Sequence, residues 1–425
     1  KQNPGGVGSP GGYVMDSSPG LYQHVLVLDF KSLYPSIIRT FSIDPLARVQ
    51  ALASEALQGL EREALRDREE TIDVDRQLCV PGFNGALFTK QGALLPNIID
   101  ELWDARDLAK RDGNGAMSQA IKIIMNSFYG VLGTPGCRFF DYRLPSSITL
   151  RGHQILNKSK DLIEARGHEV IYGDTDSVFV CLKNLDENIS NRAIDTLGRA
   201  LATELNDWWR EHLLSNYHLE SGLEIEFETH YRQFVMPTIR GADIGSKKRY
   251  AGISVPVNDR CDSEDGELIF KGLEAVRTDW TLLARELQRE LYKRVFAGES
   301  IDSIKVYLLQ LIEEVRGGEH DAKLFYRKRI RRRLDDYRRN VPPHVQAARK
   351  ADALREAEGL GPRYARGGWI EYVLTSAGPE PLSRASAPLN YELYLERQVE
   401  PIVDGIMMFL GTSFAELTDQ QLGLF

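Results

Sequence analysis

Apolar positions follow two periods along this chain, and each period predicts its own elements. Val25-Leu26-Val27-Leu28 is an unbroken apolar run that ends at Asp29 and predicts a buried strand. From about Pro96 to Arg111, and again from about Ala116 to Val131, the spacing turns helical. Asp112-Gly113-Asn114-Gly115 between them is a turn signal, so 95–131 predicts a helical hairpin, with Pro96 suited to a first helical turn. In 170–180 two β-prone arms flank Gly173-Asp174-Thr175-Asp176, which predicts a β-hairpin. Residues 223–236 alternate, with Glu224, Glu226 and Glu228 on one strand face and Ile225 and Phe227 on the other. Residues 1–20 read as a Gly/Pro-rich loop or linker, 46–77 as charged and helix-prone, and the chain from about 280 onward as mainly helical.

Composition narrows the class. Hydrophobic residues at 42% and charged residues at 27% are ordinary for a globular protein and argue against disorder. At 425 residues, two or three domains are expected. Lys plus Arg is 53 against 61 Asp plus Glu, a formal charge of −8, which excludes a basic coat over the whole chain. Contact with a polyanion must then come from a local patch. No apolar run of ~18 residues appears and no charged-then-apolar leader opens the chain, so neither a membrane span nor a secretory signal is expected. Cys79, Cys137, Cys181 and Cys261 form no CxxC pair, so a zinc site is not expected, and free thiols fit a reducing cytosol. The first residue is Lys1, not Met, which points to a fragment.

The candidate chemistry starts with acids at strand ends. Asp29 follows an apolar strand, and Asp174 and Asp176 occupy a hairpin tip. Carboxylates so placed can reach divalent cations, and Mg²⁺ typically takes one or two carboxylates plus substrate phosphates. Two such acids from distant sequence could hold two ions for in-line displacement at phosphorus. The plain alternative is a strand cap and a turn. On the second helix of the hairpin, Lys122, Asn126 and Tyr129 share one face, and Ile121, Met125 and Phe128 share another that suits the core. Arg106 and Lys110 are spaced i, i+4 on the first helix. With Lys122 they could meet one triphosphate, or they could be solvated charges. Lys247-Lys248-Arg249-Tyr250 sets adjacent cations beside an aromatic, which suits a nucleic-acid backbone or a solvated loop. Residues 323–339 hold nine Lys or Arg, among them Lys323, Arg327, Lys328 and Arg331, against only Asp335 and Asp336. If that patch meets phosphates, binding is strongly salt-dependent.

In order, these residues resemble the motifs of family B DNA polymerases. Asp29-Phe30-Lys31-Ser32-Leu33-Tyr34-Pro35-Ser36-Ile37-Ile38 is similar to motif A, the stretch from Lys122 through Asn126 to Gly130 to motif B (KxxxNSxYG), and Tyr172-Gly173-Asp174-Thr175-Asp176-Ser177 to motif C. Lys247 to Tyr250 resembles the KKxY motif. Lys271-Gly272-Leu273-Glu274 with Val276 to Trp280 resembles the lead into the thumb. The resemblance covers about 20–400. It implies an α+β right-hand polymerase: an antiparallel-sheet palm, helical-hairpin fingers and a mainly helical thumb. The expected divisions are 1–45 for the first palm part, 46–135 for fingers, 136–270 for palm, 271–420 for thumb and 421–425 for a clamp-binding tail.

The resemblance also implies roles. Asp29 and Asp176 bridge two Mg²⁺ ions, with Mn²⁺ able to substitute, the Phe30 carbonyl is a further ligand, and Asp174 sits beside them. Leu33 and Tyr34 lie at the nucleotide, Tyr34 rejecting a 2′-hydroxyl. Arg106, Lys110, Lys122 and Asn126 hold the triphosphate, and Tyr129 packs near the nascent base pair. Lys247, Lys248, Arg249 and Tyr250 hold the primer end, and the basic thumb segment grips the duplex. Gln421, Leu422, Leu424 and Phe425 resemble the short motif by which bacterial polymerases dock on the sliding clamp. The Gly11-Gly12 loop resembles a template-contacting element, although Ser9 stands where relatives often place Tyr. Arg151-Gly152 reverses the family's usual Gly-Arg order, and no role is assigned to either residue.

The implied partners are primer–template DNA, dNTPs and the bacterial clamp, with no membrane. The implied state is a monomer, and the implied location is the nucleoid-associated cytoplasm. DNA repair or translesion synthesis is the implied setting. Only 28 residues precede Asp29, so no proofreading exonuclease is expected in this chain. The alternative is a truncated polymerase body that binds DNA or clamp without acting alone. Another palm enzyme, such as a reverse transcriptase or nucleotide cyclase, fits the 122–130 and 172–177 segments less well.

Overall fold

The computed structural model describes residues 9–54, 76–186, 189–238, 245–257 and 265–418. The chain forms two compact units. The first comprises Lys1–Ser18, Tyr22–Arg232 and Ser254–Gly266; the second comprises Pro19–Leu21, Gln233–Ile253 and Glu267–Phe425.

The first unit is built on strands β1 (Gly20–Phe30), β4 (Glu169–Asp174), β5 (Ser177–Cys181) and β6 (Ile225–Met236), in the order β4-β5-β1-β6. The short hairpin of β2 (Cys79–Pro81) and β3 (Leu87–Thr89) stands apart from them. Val25 to Leu28 are all buried, as an unbroken apolar run requires of a strand covered on both faces. β5 pairs antiparallel with both neighbours. The expected hairpin is present, and its two-residue loop is Thr175-Asp176, with Thr175 in the left-handed region at φ 59°.

Helices cover this sheet. Motif A continues past β1 into α1 (Leu33–Thr40). Next comes α2 (Pro45–Ala53), where Asp44 caps the N-terminus by accepting from the Leu46 and Ala47 N–H groups. The other Asp44 oxygen accepts from Leu95 N at 3.0 Å, so this 2%-exposed carboxylate also anchors the start of α3 (Leu95–Arg111). α3 and α4 (Gly115–Leu132) pack together as the expected helical hairpin, and Asn114 caps α4. Ile121, Met125 and Leu132 form the buried stripe of α4, while Lys122 and Asn126 are exposed. α5 (Arg143–Ala165) packs on β4, β5 and α1, and α6 (Asn191–Tyr217) packs on α5. Arg151 is a buried structural cation: it donates to Pro81 O, Gln154 and the Tyr217 hydroxyl and lies against the Phe41 and Phe83 rings. The charged stretch 46–77 is described only at its ends, of which the first is α2.

The second unit has its own core. The end of β6 continues to β7 (Tyr250–Val255) and β8 (Glu267–Lys271), followed by α7 (Leu282–Phe296) and α8 (Ile301–Arg316). This region is mainly helical, as its pattern predicts, and it also holds strands that the pattern did not show. A three-stranded antiparallel sheet, β9 (Tyr326–Ile330), β10 (Gly368–Thr375) and β11 (Gly378–Pro381), lies within it, with β10 in the middle. The basic run obscured β9, whose apolar ends Tyr326 and Ile330 face the core while Arg327 and Arg329 point out. α9 (Pro343–Ala357) packs on this sheet, and a helical run from Tyr391 to Met407, with a π-turn at Leu395–Val399, closes the core. No helix among the described residues is long and apolar enough to cross a membrane.

Candidate active site

Strand register brings the distant acids together. Asp29 at the end of β1 is opposite Ser177 at the start of β5, and Asp174 at the end of β4 is opposite the same Ser177. Phe30 N donates to Asp176 O at 2.8 Å, which fixes the turn against the strand end. Asp176 N in turn donates to Asp174 O at 2.6 Å. Three carboxylates thus occupy one edge of the sheet, positioned by backbone geometry, and the Thr175 hydroxyl also donates to Asp174 Oδ1 at 3.0 Å.

Their electrostatics are unbalanced. The Asp29 carboxyl is pushed up to about 8, first by burial, then by the negative charges of Asp176 and Glu228. Lys122 opposes that rise without cancelling it. The Asp176 carboxyl is raised by burial and by Asp174, with its own backbone N–H and Lys122 acting the other way. Lys122 is therefore close enough to act on both acids. Such a cluster of like charges calls for a cation or a proton.

The fingers-like hairpin supplies the opposite sign. Arg106 and Lys110 lie on α3, and Lys110 pairs with Asp107 at 3.4 Å. The half-buried Arg106 leaves its Nε without a hydrogen-bond partner among the described residues. Asn126 and Tyr129 continue the Lys122 face of α4. The Tyr129 and Tyr34 rings pack at 4.9 Å between centroids. Burial raises the Tyr34 hydroxyl, followed by Tyr129 and the two hairpin acids, so Tyr34 stays a neutral wall beside the carboxylates. Leu33 and Phe30 are core residues at 2% and 1% exposure.

Residues 9–15 fold over this edge. Thr175 N donates to Tyr13 O at 2.7 Å, Val14 forms a bridge with Asp174, and Met15 N donates to Gly173 O at 2.9 Å. The Tyr129 hydroxyl reaches Pro10 O at 3.4 Å, and His153 Nε2 reaches Gly11 O at 3.2 Å. A side chain at Gly12 would meet Thr175 Oγ1 at 2.9 Å and the Tyr34 hydroxyl at 3.2 Å, so the backbone approaches because the residue is glycine.

Lys31, Glu224 and Glu226 had no assigned role in the sequence. Lys31 bridges Glu224, at 2.6 Å, and Glu226, and its backbone N–H donates to Glu224 O at 2.9 Å. Motif A is thereby pinned to β6, and Glu228 lies on the same outward face. The alternating glutamates were the available signal, but sequence does not show which strand faces them.

In the second unit, two separate motifs prove to be one locus. Gly272 adopts φ 63°, and a Cβ there would lie 2.3 Å from Lys248 O, so the 271–274 turn sits directly on the 247–250 segment. Lys248 itself adopts φ 62°. Arg249 pairs with Glu274, a 4%-exposed carboxylate that also accepts from Gln288 Nε2 at 2.9 Å. Arg249 is thus engaged with protein, and Tyr250 packs against Phe234 at 5.3 Å. Lys323 pairs with Glu286 at 2.8 Å, Lys328 lies 3.9 Å from Asp279, and Arg331 is exposed. Gln421, Leu422, Leu424 and Phe425 lie outside the described residues.

An α+β sheet edge carrying paired carboxylates beside a cationic helical hairpin is the architecture of a right-hand polymerase. A solved family B DNA polymerase from the hyperthermophilic archaeon Pyrobaculum calidifontis shares the fold, with a TM-score of 0.58 at 23% identity over 93% of this chain and 46% of that one. The chain belongs to DNA polymerase family B, whose profile matches residues 6–408. It is 51% identical over 417 residues to DNA polymerase II of Escherichia coli (strain K12), covering 98% of this chain and 49% of that protein. It is 27% identical to a DNA polymerase of Desulfurococcus sp. (strain Tok), covering 97% of this chain and 48% of that one. The chain spans about half the length of the curated relatives it matches.

Proposed function

We propose that this chain is a DNA-directed DNA polymerase, adding dNTPs to a primer 3′-hydroxyl by phosphoryl transfer at Asp29 and Asp176. The observation that carries this reading is the convergence of those two carboxylates, with the Asp29 carboxyl raised to about 8, next to Lys122 and Tyr34. The residues fit divalent ions. No cluster of three or more His, Cys, Asp or Glu side chains suited to a metal is found among the described residues. Mg²⁺ does not need one, since it takes one or two carboxylates together with substrate phosphates. Asp29, Asp176 and the Phe30 carbonyl would hold the ions, with Asp174 alongside. Two Mg²⁺ or Mn²⁺ ions bound there supply activation of the 3′-hydroxyl and neutralisation of the phosphates in an in-line displacement.

The protein's own groups do the positioning. Lys122, with Arg106, Lys110 and Asn126, orients the triphosphate. Tyr34, packed on Tyr129, walls the sugar side and excludes a 2′-hydroxyl. Lys247 and Lys248 hold the primer backbone, while Arg249 braces their segment through Glu274. The basic residues of 323–339 contact duplex phosphates, and the C-terminal tail docks on a sliding clamp. The same proposal sets this activity in DNA repair or translesion synthesis in a bacterial cytoplasm.

Primer extension on a primed DNA template with four dNTPs and Mg²⁺, comparing the chain with its Asp176→Ala variant, tests the reading. Extension by the parent alone supports it. A parent that unfolds cooperatively and binds DNA salt-sensitively, yet extends nothing, overturns autonomous activity. It would leave a polymerase body that binds DNA without acting alone.

A further inference from the structure

The outer face of the β9–β11 sheet carries a cleft of ≈ 670 Å³, and of its lining residues only Arg327 belongs to the basic run assigned to duplex phosphates. Four arginines from four segments line it: Arg327 on β9, Arg355 on α9, Arg363 in the loop before β10, and Arg384 after β11. Two aromatic rings stand among them. Trp369 on β10 is 52% exposed, although a residue so large is normally well buried. The Arg327 guanidinium lies 5.1 Å from its ring centre, and Arg363 lies 5.5 Å from the Tyr364 ring.

The cleft is rigidly built. Asp352, 7% exposed, accepts from Arg363 N at 2.7 Å and Tyr364 N at 3.1 Å, and so fixes the loop that presents both side chains. Arg355 donates to Gly361 O at 3.0 Å and braces the same loop. Glu358 forks with Arg384, and Glu371 lies 3.9 Å from Arg327. Two carboxylates against four guanidinium groups leave the cleft cationic. Arg329, opposite Trp369 in the β9–β10 register and exposed, extends the positive field along the strand.

We propose that this cleft binds single-stranded nucleic acid, with an unpaired base stacked on Trp369 and its phosphates held by Arg363 and Arg384. Cations alone would take any polyanion. An exposed Trp flanked by guanidinium groups adds a platform that only an unpaired base can reach, because duplex bases already cover one another. The shared chemistry is a nucleobase plus phosphate, which a strand or a free nucleotide could supply. The proposal is for the strand, because the cationic line continues past the cleft. It stands apart from polymerase activity, and its test uses neither dNTPs nor divalent ions.

Fluorescence anisotropy with labelled oligo(dT) and with a blunt duplex of equal length, on the whole chain in EDTA, decides it. Trp369→Ala should weaken oligo(dT) binding about tenfold and leave duplex binding within about twofold. Trp369→Phe should retain most of the affinity. Arg363→Ala should weaken oligo(dT) binding and reduce its salt slope by about one. Equal losses on both ligands, or no loss on oligo(dT), would overturn the proposal. Displacement of the oligonucleotide by micromolar dTMP would replace the strand with a mononucleotide and overturn it too. Should Trp369→Ala lower the melting temperature, Trp369→Phe and Arg363→Ala carry the decision.

Discussion

Asp29 in the first unit and Glu274 in the second are both sheltered carboxylates, and burial acts on both to raise the carboxyl. They finish on opposite sides of the ordinary range. Around Asp29 the neighbours are Asp176, Glu228 and Glu226, and Lys122 alone opposes them, so the carboxyl climbs to about 8. Around Glu274, a hydrogen bond from Gln288 and the Arg249 charge outweigh burial and hold the carboxyl below its usual value. Glu274 is finished: every need of its charge is met within the fold. Asp29 is left unfinished, and an unfinished charge at a sheet edge is what a substrate or an ion completes.

The largest test of this contrast is catalytic. Asp176→Ala should cut primer extension by about a thousandfold or more, while the melting temperature holds or rises because a buried like charge has gone. Glu274→Ala should do the reverse. It strands Arg249 and should cost about 3 kcal/mol of stability by denaturant titration. Gly272→Ala comes next. Strain at φ 63° and the clash with Lys248 O should cost about 2 kcal/mol, against about 1 kcal/mol for Gly298→Ala, whose φ of 72° faces open space.

The pH dependence should differ in sign at the two acids. An Asp29 carboxyl raised from 3.8 to about 8 keeps its proton when the unfolded chain has lost it, so metal-free stability falls as pH rises across that window. Asp29→Asn should flatten that slope, and adding Mg²⁺ should reverse it in the parent but not in the variant. The lowered Glu274 carboxyl contributes stability present above its ordinary 4.5 and lost as pH falls through its folded value, and Glu274→Gln should remove that acid-side loss. The smallest effect belongs to Lys31→Met, whose two half-exposed glutamate partners make it worth under about 1 kcal/mol by thermal unfolding.

Much of the carboxylate edge could be read along the chain. The apolar run before Asp29, the β-prone arms around Asp174 and Asp176, and the 3.6-residue stripe of Ile121 and Met125 each encode a local period. What could not be read is pairing between distant segments. The Asp29–Ser177 register, the Lys31 bridge to Glu224 and Glu226, and the seat of Gly272 on Lys248 O depend on chain segments far apart, and no local period records them. The β9–β11 sheet was missed for a different reason. Charges on its outward face hid the alternation of Tyr326, Lys328 and Ile330, while the surrounding helices set the expectation. The same blindness applied to the cleft, whose arginines are scattered from 327 to 384.

The segment 9–15 has a mechanical consequence. It is stitched to the hairpin turn through Tyr13 and Val14, to α4 through Pro10 and to α5 through Gly11. Tension applied at residue 9 would therefore not dissipate in a slack tether. It would arrive at Thr175, already in a strained left-handed conformation, one peptide away from Asp176. A pull on that end of the segment would bear on the alignment of the two carboxylates without touching either.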